Sequence, residues 1–201
     1  ASLAAPITLD ADHFTIMYDG AQTGPYGQGF LSGSLDTVYF QPNTFSALSG
    51  GSPASTQASL ELTVSIDPGY SFAGLNFTER GDYFMIGNVA VNVAAGIEAV
   101  NADTSASALL SLAPGSPLAQ TGASTPWQLT GSLSPLALGA PQTLVVTLDN
   151  TLFASATTGS LGFIQKTYAG FQIVTQPVSV PEPSGLALLL VGGMAAVLVG
   201  R

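Results

Sequence analysis

Across residues 7–174 short apolar stretches alternate with turns built from Gly, Pro, Asn, Asp and Ser. The clearest pattern lies at 58–66, where Leu60, Leu62, Val64 and Ile66 fall on one face. A period of two marks a half-buried strand, and Asp67-Pro68-Gly69 supplies the turn chemistry that ends it. The same reading predicts strands at 7–9, 14–18, 37–40, 72–79, 82–86, 89–94, 128–133, 142–148, 161–166 and 171–175. No segment of this region keeps a 3.6-residue apolar period with capping signals at both ends. Residues 104–113 suit a short helix, limited by Pro114 and Pro117. The stretches 46–59 and 113–126 read as loops or insertions. Many short strands separated by turns predict an all-β, antiparallel sandwich or jelly roll rather than a barrel.

The pattern changes at 176–184. Pro177, Pro181 and Pro183 fix φ and remove backbone donors, so an extended linker is expected there. Residues 185–200 then run without a charged side chain, from Gly185 through Leu188 to Gly200. As a helix this segment would be about 24 Å long, a minimal span for a hydrocarbon core of about 30 Å. Gly192, Ala196 and Gly200 recur at the four-residue spacing that lets helices approach closely. Arg201 favours a cytoplasmic end. The alternative is a buried core helix, which would need complete enclosure. The expected division is therefore a β-sandwich at 1–176, a linker at 177–184 and one transmembrane helix at 185–201.

Val180-Pro181-Glu182-Pro183-Ser184, an apolar segment and a terminal basic residue together resemble the PEP-CTERM sorting signal of Gram-negative bacteria. The resemblance covers the last 22 or so residues and implies recognition by an exosortase, a membrane-embedded transpeptidase-like enzyme, with cleavage near the Pro-Glu-Pro motif. It further implies an inner-membrane intermediate, then delivery to the cell surface or matrix, commonly in bacteria that make exopolysaccharide. Such tails often end in several basic residues, whereas this one ends in Arg201 alone. More loosely, Gly81-Asp82-Tyr83-Phe84, the run 148–154 and Phe163-Ile164-Gln165-Lys166 resemble uncharacterised ectodomains that carry this tail. The opening Ala1-Ser2-Leu3-Ala4-Ala5-Pro6, without Met or a basic run, reads as a start left by signal-peptide removal.

Composition narrows the chemistry. Twelve acids face three bases, Arg80, Lys166 and Arg201, for a net charge of −9, which excludes phosphate-neutralising nucleic-acid binding. Only 7% of residues are charged, against about 25% in ordinary soluble domains, so hydroxyls and amides must keep the surface wet. Without cysteine there are no disulfides or thiolate sites. His13 is the sole histidine and no Gly-x-Ser-x-Gly elbow accompanies it, so no catalytic residue and no cofactor is assigned. Asp10, Asp12 and Asp19 are the candidate hard-oxygen ligands for calcium, with an acidic loop as the alternative. Thr78-Glu79-Arg80-Gly81-Asp82 reads as a charged hairpin turn with Arg80 paired to an acid; a glycosidase would use such carboxylates only at a suitable separation. Tyr26, Trp127 and Tyr168 are candidates for stacking on sugar rings where exposed, with a place in the core as the alternative that suits most aromatics of a sandwich, Trp127 above all.

These readings give a non-catalytic surface or matrix protein, associated with biofilm or exopolysaccharide and sorted through its tail. A carbohydrate-binding module is the alternative, and a secreted hydrolase comes behind both. Co-expressed with an exosortase, the full chain is expected to be shortened near Pro181. Intact-mass analysis that finds an end at Arg201 under those conditions contradicts the sorting assignment.

Overall fold

The computed structural model describes residues 5–119 and 122–179. The sorting residues Val180–Ser184 and the apolar tail, with its expected transmembrane helix, lie outside the described residues. Period-two patterning yields β1 (Ile7–Asp10), β2 (Phe14–Tyr18), β3 (Gly29–Leu31), β4 (Thr37–Phe40), β5 (Ser46–Ser49) and β6 (Ala54–Ile66). Six longer or later strands follow: β7 (Tyr70–Ile86), β8 (Val89–Asn101), β9 (Ser107–Leu112), β10 (Thr125–Leu133), β11 (Thr143–Ala156) and β12 (Leu161–Pro177). The described residues contain no α-helix, only short 3₁₀ turns at Gly24–Tyr26 and Pro135–Ala137.

The strands form two antiparallel sheets. One has the order β1-β2-β6-β11-β8-β9; the other runs β10-β7-β12-β4-β3, with β5 also paired to β12. From β6 to β8, and again from β9 to β12, each connection crosses from one sheet to the other, the winding of a jelly-roll-like sandwich. The inward faces meet in one apolar core: Leu60, Leu62 and Val64 from β6, Leu144, Val146 and Leu148 from β11, Phe77 from β7 and Phe171 from β12. Each such side chain contributes about 2 kcal/mol by leaving water.

Four local expectations are corrected. Within 104–113 the residues Ser107–Leu112 form the edge strand β9, not a helix, because period two wins once β8 offers a partner, with Ala95 opposite Leu112. Leu110 and Leu112 then rest on the bare Cα of Gly131 in β10. The stretch 46–59 is β5 and the start of β6 rather than a loop; the Ser49 hydroxyl accepts from Ala156 N–H at 2.9 Å and donates to Ser52 carbonyl at 2.6 Å. The charged run 78–82 lies inside β7, not in a turn. Finally, 161–166 and 171–175 join into one strand, whose register against β7 shifts between Lys166 and Tyr168.

That shift is a β-bulge, one extra residue on one strand. Lys166 faces Gly81 and Tyr168 faces Arg80, leaving Thr167 as the surplus. In a regular strand residues two apart share a face; here Lys166 points into the core and Tyr168 outward. Gly81 sits at the same level for a different reason: Trp127, its register partner on β10, lies across it and donates from Nε1 to the Gln165 carbonyl at 3.0 Å.

A methyl group on Gly81 would collide with the Gln165 carbonyl oxygen and come within 2.7 Å of the Trp127 ring. Gly81→Ala is therefore expected to cost about 3 kcal/mol in urea unfolding. Gly96→Ala, on β8 with nothing near the added carbon, should change stability by less than about 0.5 kcal/mol.

Candidate functional site: an aromatic row on an open sheet face

The outer face of the β10-β7-β12-β4-β3 sheet carries three adjacent aromatic rings. Phe30 on β3 is the register partner of Tyr39 on β4, and Tyr39 is the partner of Gly170 on β12. The Tyr168 ring folds over Gly170, where a Cβ would come within 2.7 Å of the ring carbons. A glycine beneath an aromatic ring is a recurring way of covering bare backbone in a sheet. Ring centroids are 5.8 Å apart from Phe30 to Tyr39, at 31°, and 5.8 Å from Tyr39 to Tyr168, at 17°. The Arg80 guanidinium closes the row from β7, 5.3 Å from the Tyr168 centroid, a cation–π distance. Partial burial raises the Tyr168 phenol above its ordinary range while Arg80 opposes the shift. Phe30 keeps 42% of its surface exposed.

A polar chain runs beside the rings on the same face. Asn76 Nδ2 donates to Gln172 Oε1 at 3.0 Å, and Gln172 Nε2 donates to Asp36 Oδ2 at 2.9 Å. Asp36 Oδ1 accepts from the hydroxyls of Ser34 at 2.6 Å, Thr37 at 2.8 Å and Ser32 at 3.2 Å. These donors, Ser34 and Gln172 foremost, hold the Asp36 carboxyl down at about 2.

A second polar cluster is closed to solvent. Glu79 on β7 and Lys166 on β12 form an ion pair with both side chains fully buried. The Lys166 ammonium lies 5.2 Å from the Phe45 ring centroid and 5.6 Å from that of Tyr26. Burial pushes the Glu79 carboxyl up and the Lys166 amine down to about 8, against the opposing pull of each partner. Burial also raises the Tyr26 phenol. Asn150 enters from β11 in the facing sheet and helps to favour the charged form of Glu79. Glu79 Oε1, Asn150 Oδ1 and the Tyr26 hydroxyl nevertheless have no hydrogen-bond partner.

The opposite outer face holds a shallow groove of about 790 Å³, lined by small residues including Ser59, Ala94, Gly96, Ser111 and Thr151, with Asp149. No aromatic side chain lines it.

The candidates named from sequence separate clearly. Of the three aromatics, Tyr168 joins the open row, whereas Tyr26 and Trp127 are buried in the core. Arg80 lies over a ring, and among the described residues no acid forms an ion pair with it. Glu79 points inward and Asp82 lies on the opposite face of the strand, so these two carboxylates cannot flank one bond. His13 stacks on Tyr70 with centroids 3.8 Å apart. Asp10 pairs in register with Thr15, and Ile7 with Tyr18, the neighbour of Asp19. Asp19 therefore sits at the far end of the hairpin from Asp10 and Asp12, about 13 Å from the level of Asp10 at strand rise, and already accepts from Ala21 N–H and Gln22. Among the described residues no three His or acidic side chains converge as metal ligands. Tyr39 and Phe30 were not singled out by sequence; the signal was a Tyr on the outward positions of 37–40, but β3 is too short to read.

No family model matches the chain, and no curated protein matches it either. Among solved structures, a chain of infectious bursal disease virus, Gt strain, is similar at 11% identity and TM-score 0.32, over 81% of this chain and 48% of that one. This chain thus spans about half the length of the viral chain. The enzymatically active domain of bacteriophage CBA120 tailspike protein 4 is similar at 10% identity and TM-score 0.30, over 85% of this chain and 19% of that one. A carbohydrate-binding module of the beta-sandwich superfamily is similar at 10% identity and TM-score 0.27, over 88% of this chain and 100% of that one. At such scores none of the three fixes a family or an activity.

Asp36 offers a direct test of the polar chain. Its folded pKa lies below its ordinary value of 3.8, so its stabilisation is complete above about pH 4 and is lost as pH falls towards 2. Asp36→Asn should reduce the drop in urea midpoint between pH 5 and pH 2.5. The carboxylate is partly exposed, so screening limits the difference to less than about 1 kcal/mol.

Proposed function

We propose that the sandwich is a non-catalytic extracellular domain that holds neutral polysaccharide against Phe30, Tyr39 and Tyr168. In the same reading the tail from Val180 to Arg201 directs it through an exosortase-bearing membrane to the cell surface or matrix. The observation that carries the binding reading is the aromatic row itself, one tilted and one stacked pair of rings stepping across three strands on an open face. Sugar rings present apolar C–H faces that stack on aromatic faces, and their hydroxyls need donors and acceptors at the edge. Arg80, Asn76, Gln172 and the Asp36 hydroxyl cluster supply both beside the row. The net charge of −9 disfavours polyanions at long range, which is why the ligand class is neutral. A row across strands, rather than a closed pocket, suits a chain bound along its length over one bound at its end.

In the second reading the sandwich only builds the surface layer and binds no glycan; the fully buried Glu79 and Lys166 favour neither. Affinity electrophoresis in gels containing neutral glucans, galactans or mannans separates the two. The full chain should be retarded by at least one of these, and Tyr39→Ala and Tyr168→Ala should each weaken retardation about tenfold, the equivalent of roughly 1.4 kcal/mol. Glu98→Gln, on the opposite sheet, should leave it unchanged. Migration of the wild-type chain unaltered in every gel overturns the binding reading.

A further inference from the structure

Three residues from three strands meet in the closed cluster: an amine on β12, a carboxyl on β7 and a carboxamide on β11. Lys166 is the chain's single lysine, and it lies between two sheets with aromatic rings of Tyr26 and Phe45 beside its ammonium. Its hydrogen-bond partner is Glu79. The Asn150 side chain acts on the same carboxyl from the facing sheet. Its Nδ2 is held by the Asp149 carbonyl at 3.3 Å while its Oδ1 has no donor. A nucleophile, a proton carrier and a carbonyl without a donor from the protein are thus gathered where the lysine and carboxylate side chains have no solvent exposure. As an ion pair alone the arrangement gives the second carboxylate oxygen of Glu79 and the Asn150 carbonyl no donor from the protein.

We infer that Lys166 Nζ and Asn150 Cγ become joined by an intramolecular isopeptide bond, with Glu79 carrying the protons. Glu79 first takes a proton from the Lys166 ammonium, leaving a neutral amine and a neutral acid. The Nζ lone pair attacks Cγ of Asn150, while the Glu79 acid donates towards Oδ1 and draws electron density from that carbon. The tetrahedral centre then collapses. The Cγ–Nδ2 bond breaks, its electron pair leaves with Nδ2, and Glu79 relays the proton lost by Nζ to the departing group, which leaves as ammonia. One amide replaces another, nothing is oxidised or reduced, and Glu79 is left as the neutral acid, holding the proton that the Lys166 ammonium gave up at the start. Burial favours the reactive forms: it lowers the Lys166 amine to about 8 and raises the Glu79 carboxyl. Product formation also removes the two buried charges from the centre of the sandwich.

The bond would tie β11 to β12, and therefore one sheet to the other, across their connecting turn. Trypsin gives a sharp readout, because the possible cleavage sites within the chain are Arg80 and Lys166. An acylated Lys166 is not cut. After denaturation and digestion of the purified full chain, residues 81 onward should remain one fragment, about 17 Da lighter than its sequence mass through loss of one ammonia. Tandem mass spectra should place the link between Asn150 and Lys166. Glu79→Gln should abolish or slow the mass loss, and Lys166→Arg should restore cleavage at position 166 with no mass loss. The wild-type measurement decides the matter even where a variant fails to fold. A wild-type chain of unchanged mass, cut after Lys166, overturns the inference. Formation of the bond at the wild-type rate in Glu79→Gln overturns the role given to Glu79.

Discussion

A lysine and a carboxylate enclosed between two sheets are tolerated only when each meets the other. Removing either charge from water costs several kcal/mol even after relaxation, so the pairing of Glu79 with Lys166 constrains everything packed around it. β7 and β12 must stay in the register that brings the two side chains together, and they pair along nearly their whole lengths. Phe45 and Tyr26 must cover the ammonium from the side where β12 passes from β5 to β4, and the Lys166 N–H holds that crossing by donating to the Phe45 carbonyl at 2.9 Å. The facing sheet must bring a polar side chain rather than a leucine to this level, and on β11 that residue is Asn150, flanked along the inward face by Leu148 and Leu152.

The bulge at Thr167 couples this interior to the exterior. Without the extra residue, Lys166 and Tyr168 would share a face: either the lysine would lie outside or the tyrosine would be drawn into the core. With it, one short segment supplies the core amine and the middle of the aromatic row. Arg80 and Glu79 show the complementary arrangement on β7, where ordinary alternation sends one residue to the Tyr168 ring and the next to Lys166. The two polar features of the sandwich are therefore the two sides of a single strand pair.

Much of the architecture was readable because apolar alternation is a local property. Residues 14–18 and 37–40 match their strands, and the Leu60–Ile66 face lies in the core as its spacing indicates. The misreadings share a cause. Charges at 79–82 suggested a turn, since a buried carboxylate becomes reasonable only when its cation is known, and that cation is 87 residues away. Bulges and edge strands fail for a similar reason: the surplus Thr167 and the small-residue strand β9 are defined by their partners, not by their own composition. Of the aromatic row, Tyr168 was legible as a candidate. Phe30 and Tyr39 were not, because which ring neighbours which depends on strand order. That the chain has a single lysine, set in a β-patterned stretch, was the one local clue to the closed cluster.

The last strand also determines how the domain would respond to force. The chain leaves the sandwich at the end of β12, a 17-residue strand held by β7 on one side and by β4 and β5 on the other. Val178 adds a further bond by donating to the Gly69 carbonyl at 2.8 Å. A pull on the residues beyond acts along the axis of that strand, so the ladders on both flanks are loaded in shear. Many hydrogen bonds must then fail together, whereas a pull across an edge strand such as β1 opens them one after another. Resistance to extraction therefore scales with paired length at this exit, and a domain of modest equilibrium stability can still hold firmly when tugged from its C-terminal side.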